Sequence, residues 1–137
     1  MRISSKTRYS IKVLVYMAII FDSNEYIALN EISKSTNISA KYLERLLGKL
    51  RNASIIDTHR GAAGGYRINK STSEITLFDV VCAVEDDVLN VDCLSEKCNN
   101  KKCIGKNVFE NLKSDISHTL KKYTIEEIIK NNKGKDK

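Results

Sequence analysis

The sequence predicts a mainly α-helical chain with one small β-hairpin, and three stretches carry that reading. In the first, Ile38 to Asn52, Leu43, Leu46, Leu47 and Leu50 follow the i, i+3, i+4, i+7 rule of a helix that buries one stripe. The second places Ile55, Ile56 and Thr58 before Arg60-Gly61-Ala62-Ala63-Gly64-Gly65 and Tyr66, Arg67 and Ile68 after it. β-branched and aromatic residues suit paired strands, and the glycines between them tolerate a tight backbone path. The third is Val108, Phe109, Leu112, Ile116, Leu120 and Tyr123, one apolar side of a helix from about Lys106 to Tyr123. That stripe has little left to pack on inside a small domain, so a second copy of the chain is its natural cover. The fold class is therefore a winged helix-turn-helix plus a long C-terminal dimerisation helix.

In chain order, Thr7 to Phe21 is the first helix. Apolar residues nearly encircle it, with Tyr9, Val13, Met17 and Ile20 on one face and Ile11, Leu14, Ala18 and Phe21 beside them. Such a helix is buried in the core or between subunits. Arg2, Lys6 and Arg8 stand at its mouth, where they can add phosphate contacts. Asp22 to Glu25 is a polar turn, and Leu29 to Thr36 a short helix with Leu29 and Ile32 inward. Asn37-Ile38 turns into the next helix, completing a helix-turn-helix pair. Ser39 is its N-cap, with Ile38 and Leu43 as the hydrophobic staple. Opposite the leucines fall Lys41, Arg45, Gly48 and Asn52, with Lys49 at the margin. A face of donors with a glycine that permits close approach is what a helix needs to lie in a DNA major groove. A basic helix face alone is most often merely solvated; a glycine-rich hairpin with an arginine at its base, directly after it, changes the reading.

Beyond the hairpin, Lys70 to Glu74 is a polar loop. Thr76 with Asp79 forms a capping box and Ile75 with Val80 a staple, opening a helix whose inward stripe is Leu77, Val80, Val81 and Val84. Cys82 falls off that stripe and is read as incidental. Thr124 with Glu127 is a second capping box, with Tyr123 and Ile128 as staple, and starts a terminal helix ending in the lysine-rich Lys133–Lys137 tail. The expected organisation is a DNA-binding unit over 1–84, a polar cysteine loop over 85–105, and a dimerisation helix with a terminal helix over 106–137.

The 137 residues make one domain with extensions, and 42% apolar content supports a folded core. Residues 1–70 hold 12 Lys/Arg against 5 Asp/Glu, whereas 71–137 hold 11 against 12. A basic half built on a helix and a hairpin points to nucleic-acid phosphates; a membrane surface would attract the same charge but gives no reason for the hairpin. The longest apolar run, Val13 to Phe21, is far short of the ~20 residues of a spanning helix, so a cytoplasmic chain without a membrane segment is expected. No Ser/His/Asp grouping, carboxylate dyad or phosphate-binding loop is legible, so nothing points to an enzyme.

The run R-G-A-A-G-G-Y after Y-L-E-R-L-L-G-K-L-R, with the opening M-R-I-S-S-K-T-R-Y-S, resembles the IscR/NsrR/CymR family of bacterial winged-helix regulators over nearly the whole chain. The resemblance implies a homodimeric transcription factor on double-stranded DNA with two half-sites, in many members controlled by an iron–sulfur cluster. A repressor is expected. The candidate DNA-contact residues are Ser39, Lys41, Tyr42, Glu44, Arg45, Gly48 and Lys49 on the helix and Arg60 and Gly61 in the wing.

Cys93, Cys98 and Cys103 stand at five-residue steps in one polar loop that also carries Lys97, Lys101 and Lys102 and leads into a helix N-terminus. Thiolates ligate iron–sulfur clusters and structural zinc, and positive surroundings favour anionic ligands. On the residues alone, a cluster or zinc, a thiol redox switch and chance grouping all stay open. The resemblance implies a cluster held by these three cysteines, two-iron two-sulfur ahead of four-iron four-sulfur. The chain departs from the family pattern in two ways. Its spacing is one residue short in at least one gap, and Lys106 stands where one branch has a ligating histidine. Arg8 occupies the place of an aspartate used by nitric-oxide sensors. The fourth ligand is thus unassigned, with Asp92, Glu96, Asn107, water or a small thiol as candidates. His118 lies twelve residues beyond Lys106, ~18 Å along a helix and too far within one chain. The alternative is a regulator of the same fold controlled by thiol oxidation, zinc or a partner protein, as the CymR branch implies. A small electron carrier is the reading from another class, and the basic wing argues against it.

Overall fold

The leucine stripe of the predicted reading helix forms the floor of the core. In the computed structural model, which describes residues 3–20, 24–86 and 103–134 except the side chain of Ile104, Leu43, Leu46, Leu47 and Leu50 are all buried. They belong to α3 (Ala40–Asn52), the third helix after α1 (Ser5–Ile20) and α2 (Leu29–Thr36). Val13, Leu14 and Met17 of α1 and Ile32 of α2 close over them. The hairpin β1 (Ile56–His59) and β2 (Gly65–Ile68) follows, then α4 (Leu77–Val84), α5 (Ile104–Lys121) and α6 (Ile125–Lys133). The architecture is mainly helical with one antiparallel two-stranded hairpin, as the sequence predicts.

Local signals set most boundaries. Asn37 ends α2 in the left-handed conformation at φ 55°, which asparagine tolerates better than most residues, and its N–H bonds Ser33 O. The end of α3 is a Schellman turn: Ser54 N–H donates to Arg51 O at 2.8 Å and Ile55 N–H to Leu50 O at 3.0 Å. Ser54, at φ 60°, takes the place usually held by glycine. Both capping boxes are present, Thr76 with Asp79 and Thr124 with Glu127. They also face each other, because Leu77 N–H donates to Tyr123 O at 2.7 Å and Ile125 N–H to Ile75 O at 2.9 Å. That bridge brings α6 back to α1, with Ile125 fully buried and Ile128 and Ile129 packed on the core.

Two expectations need correction. Tyr9 and Ile20, read on one apolar face of α1 with Val13 and Met17, are 37% and 57% exposed. The inward stripe instead runs Thr7, Ser10, Val13, Leu14, Met17, because a near-uniform apolar helix leaves its rotation to its neighbours. Polar Thr7 is buried since its Oγ1 donates to Glu85 at 2.6 Å. The helix expected from Lys106 begins at Ile104, inside the range read as loop, and Cys103 is its N-cap. Phe21 and residues 87–102 lie outside the described residues.

Candidate nucleic-acid interface

The face of α3 opposite the leucines is open. Lys41, Glu44 and Arg45 are exposed, and a Cβ built on Gly48 would meet nothing within 4 Å. Among the described residues no packing partner requires glycine there, in a helix interior where it costs ~1 kcal/mol relative to alanine. Ser39 caps the helix, its Oγ accepting from Tyr42 N–H at 3.4 Å. The Tyr42 ring meets Tyr9 edge-on, with centroids 5.8 Å apart, and so ties the start of α1 to the start of α3. Ser5, Tyr9, Asn37, Ile38, Ser39 and Tyr42 line an open groove of ≈ 500 Å³ at this corner.

The hairpin leaves the core beside this face. Its register pairs Ile56 with Ile68, Asp57 with Arg67, Thr58 with Tyr66 and His59 with Gly65. Arg60 and Gly61 are exposed at its tip, and Gly61, at φ 124°, adopts a conformation that L side chains rarely take. The start of β2 is docked on the chain between α1 and α2: Ile27 N–H donates to Tyr66 O at 2.8 Å and Tyr66 N–H to Ile27 O at 2.9 Å. Gly65 permits that approach, since a Cβ there would stand 2.2 Å from Ile27 O. Tyr26 Oη donates to Asp57 Oδ2 at 2.9 Å, and Arg67 bonds the same oxygen at 3.2 Å while stacking over the Tyr26 ring. The Tyr26 hydroxyl foremost, with the Thr58 N–H and Arg67, holds the Asp57 carboxyl below the usual carboxylate range against the opposing effect of desolvation.

Lys49 stands apart from the other helix candidates. Its Nζ donates to Val84 O at 3.2 Å and to Asp86 Oδ1 at 2.9 Å. Lys6 bonds the other oxygen of Asp86 at 3.1 Å. Next to it, Glu85 accepts from Ser4 and Thr7 at the start of α1. Burial pushes the Glu85 carboxyl up, but the bonds from Ser4 and Thr7, with nearby Lys6, outweigh it and leave it lowered. The sequence reading named Lys6 and Lys49 as DNA contacts but did not find their partner Asp86, nor Asp57 or Glu85. The Asp57–Arg67 pair was accessible from the hairpin register, whereas the convergence of Lys6 and Lys49 on Asp86 depends on three elements meeting.

Of the cysteine loop, Cys93 and Cys98, with Asp92 and Glu96, lie outside the described residues. Cys103 is half-buried at the N-terminus of α5, and its side chain makes no capping bond. Cys82 is exposed. Among the described residues no group of three or more His, Cys, Asp or Glu could hold a metal ion.

A family model described as Rrf2, iron-dependent transcriptional regulator, matches residues 3–131. The chain belongs to the Rrf2 family. It is 31% identical over 134 residues to the HTH-type transcriptional regulator IscR of Vibrio atlanticus, covering 96% of this chain and 77% of that protein. CymR, the global cysteine regulator of B. subtilis, superimposes with a TM-score of 0.73 at 25% identity, covering 95% of this chain and 97% of that one. IscR of T. potens does so with a TM-score of 0.71 at 25% identity, over 96% and 88%. The chain is thus a transcriptional regulator of the IscR/CymR type. Among the described residues no helix is long and apolar enough to cross a membrane.

Proposed function

We propose that this regulator is a homodimeric repressor that reads two half-sites of double-stranded DNA. The supporting observation is the outward face of α3, where Lys41, Glu44 and Arg45 are exposed around a glycine that no described residue requires. Arg45 or Glu44 stands nearest base edges. Ser39, Lys41 and Tyr42 serve the helix entry, Arg60 and Gly61 reach the minor groove or its phosphates, and Lys49 adds charge at the margin. The unburied stripe of α5 supports dimerisation.

The signal in this reading is an iron–sulfur cluster, two-iron two-sulfur ahead of four-iron four-sulfur, held by Cys93, Cys98 and Cys103. Cys103 fits such a group: its sulfur is not used as a helix cap, and it sits at the positive end of α5. A bound cluster would supply a ligand exchange or redox event sensitive to oxygen or nitric oxide. The protein's own part is positional, because Asp86, which contacts α1 and α3, and Cys103, the N-cap of α5, flank the stretch that carries Cys93 and Cys98. With no cysteine or histidine as fourth ligand, that position falls to an oxygen donor or an exchangeable group, and the cluster is expected to decay quickly in air. Likeness to CymR supports a second reading in which the same three thiols respond to oxidation, zinc or a partner protein.

The deciding measurement is the visible spectrum, with iron and sulfide content, of protein purified without oxygen. Alanine at Cys93, Cys98 or Cys103 is expected to abolish the chromophore, and alanine at Cys82 to leave it. A colourless protein holding one zinc per chain with full DNA affinity would favour the second reading. For the DNA face, Arg45→Ala is expected to relax preference at one or two base pairs, at ~1–3 kcal/mol per lost base contact. Unchanged specificity and affinity would remove α3 as the reader.

A further inference from the structure

Two lysines from different helices converge on one exposed carboxylate. Lys6 Nζ lies 3.1 Å from Asp86 Oδ2, and Lys49 Nζ lies 2.9 Å from Asp86 Oδ1. Each oxygen takes one ammonium group, the arrangement that the two free oxygens of a phosphodiester would satisfy equally well. Lys6 belongs to the first turn of α1, and Lys49 follows Tyr42 by two turns along α3, on the side where Tyr42 meets Tyr9. The pair thus borders the face that carries Lys41 and Arg45. The lysine side chains are 38% and 36% exposed, whereas that of Asp86 is 73% exposed. Val84 O fixes the Lys49 ammonium through a separate donor, so the cation stays in place whichever anion it faces. An ion pair this exposed is weak, and the dense charge of a duplex displaces it readily.

We propose that Lys6 and Lys49 form a binding site for a phosphate of the DNA backbone, and that Asp86 fills this site in the free protein as an internal substitute for that phosphate. This rests on α3 being the DNA-facing helix and adds a competitor to it. The mutual effects agree: Lys49 and then Lys6 hold the Asp86 carboxyl below its usual range, and Asp86 raises the Lys6 ammonium. Asp86 therefore lowers affinity for every sequence alike and does not alter base preference.

The test is a salt-resolved binding titration with two duplexes, one selected by the wild-type protein from a random pool and one of unselected sequence. Asp86→Asn is expected to tighten both by roughly threefold to tenfold at low salt, and to steepen the dependence of log K on log salt by about one per chain. In a Lys6→Ala, Lys49→Ala background the same change is expected to have no effect, which separates competition for two cations from a general loss of negative charge. If Lys49→Ala fails to fold, Lys6→Ala alone is the background, and there the tightening by Asp86→Asn is expected to shrink, because only Lys49 is left to compete for. Equal tightening with and without the lysines would overturn the inference. So would weaker binding by Asp86→Asn at an unchanged salt slope, which would make Asp86 a prop for α3. A wild-type protein that selects no duplex would instead overturn the DNA reading itself.

Discussion

Helices α3 and α5 carry the same kind of apolar stripe and meet opposite fates. In α3 the four leucines are all buried under α1, α2 and α4. In α5, twice as far along the chain and longer, none of the described side chains is buried; Val108 and Leu112 are 61% and 50% exposed. Periodicity is a property of the helix alone, but burial needs a surface to receive it. For α3 the chain supplies that surface. For α5 the described residues do not, and in the proposed dimer a second copy would.

The strongest way to break this comparison is to charge the α5 stripe. Leu112→Asp with Ile116→Asp is expected to leave a folded monomer, seen by circular dichroism and by mass in solution, that no longer binds a two-half-site duplex. A wild-type monomer that binds the full site cooperatively would sink the contrast. Next is Leu47→Ala in α3, where the stripe is already covered. A cavity there is expected to cost ~2–5 kcal/mol by denaturant unfolding, a loss of fold with no change in oligomer preference at matched folded fraction. Gly48→Ala sharpens the contrast on the other face of α3. With nothing within 4 Å of the new methyl, stability is expected to rise by up to ~1 kcal/mol while DNA affinity falls. Improved stability with unchanged binding would mean that no groove approaches this glycine.

The smallest expected effect is on acid stability. Asp57, Glu85 and Asp86 all have lowered carboxyl pKa values in the fold, owing to Tyr26, to Ser4 and Thr7, and to Lys49 and Lys6 respectively. A group with a depressed folded pKa stabilises fully above its unfolded value and loses that contribution as pH falls through the folded one. Melting temperature is expected to hold at neutral pH and to fall below about pH 4. Asp57→Asn should shrink that fall, and the Tyr26→Phe variant should shrink it too by removing the hydroxyl that lowers Asp57. An identical acid profile in Asp57→Asn would show that this cluster contributes nothing to the pH dependence.

How much of this was legible before any tertiary structure depends on the range of the interaction. Ser39, Asn37, Thr76 and Thr124 act within four residues, so the helix starts and stops they set could be read directly, and so could the spacing that buries Leu43, Leu46, Leu47 and Leu50. The three-glycine hairpin was legible for the same reason, because left-handed backbone at Gly61 is a local demand. The rotation of α1 was not: nearly every face of that helix is apolar, and only Glu85 and the packed neighbours decide that Thr7 goes in while Tyr9 and Ile20 stay out. The return of α6 to α1, the docking of the hairpin on Ile27 through Gly65, and the meeting of Lys6, Lys49 and Asp86 join residues tens of positions apart. No local pattern encodes such pairs, since each polar group could equally have faced water. Only the placement of the helices around a shared core brings the carboxylate and the two ammonium groups within reach.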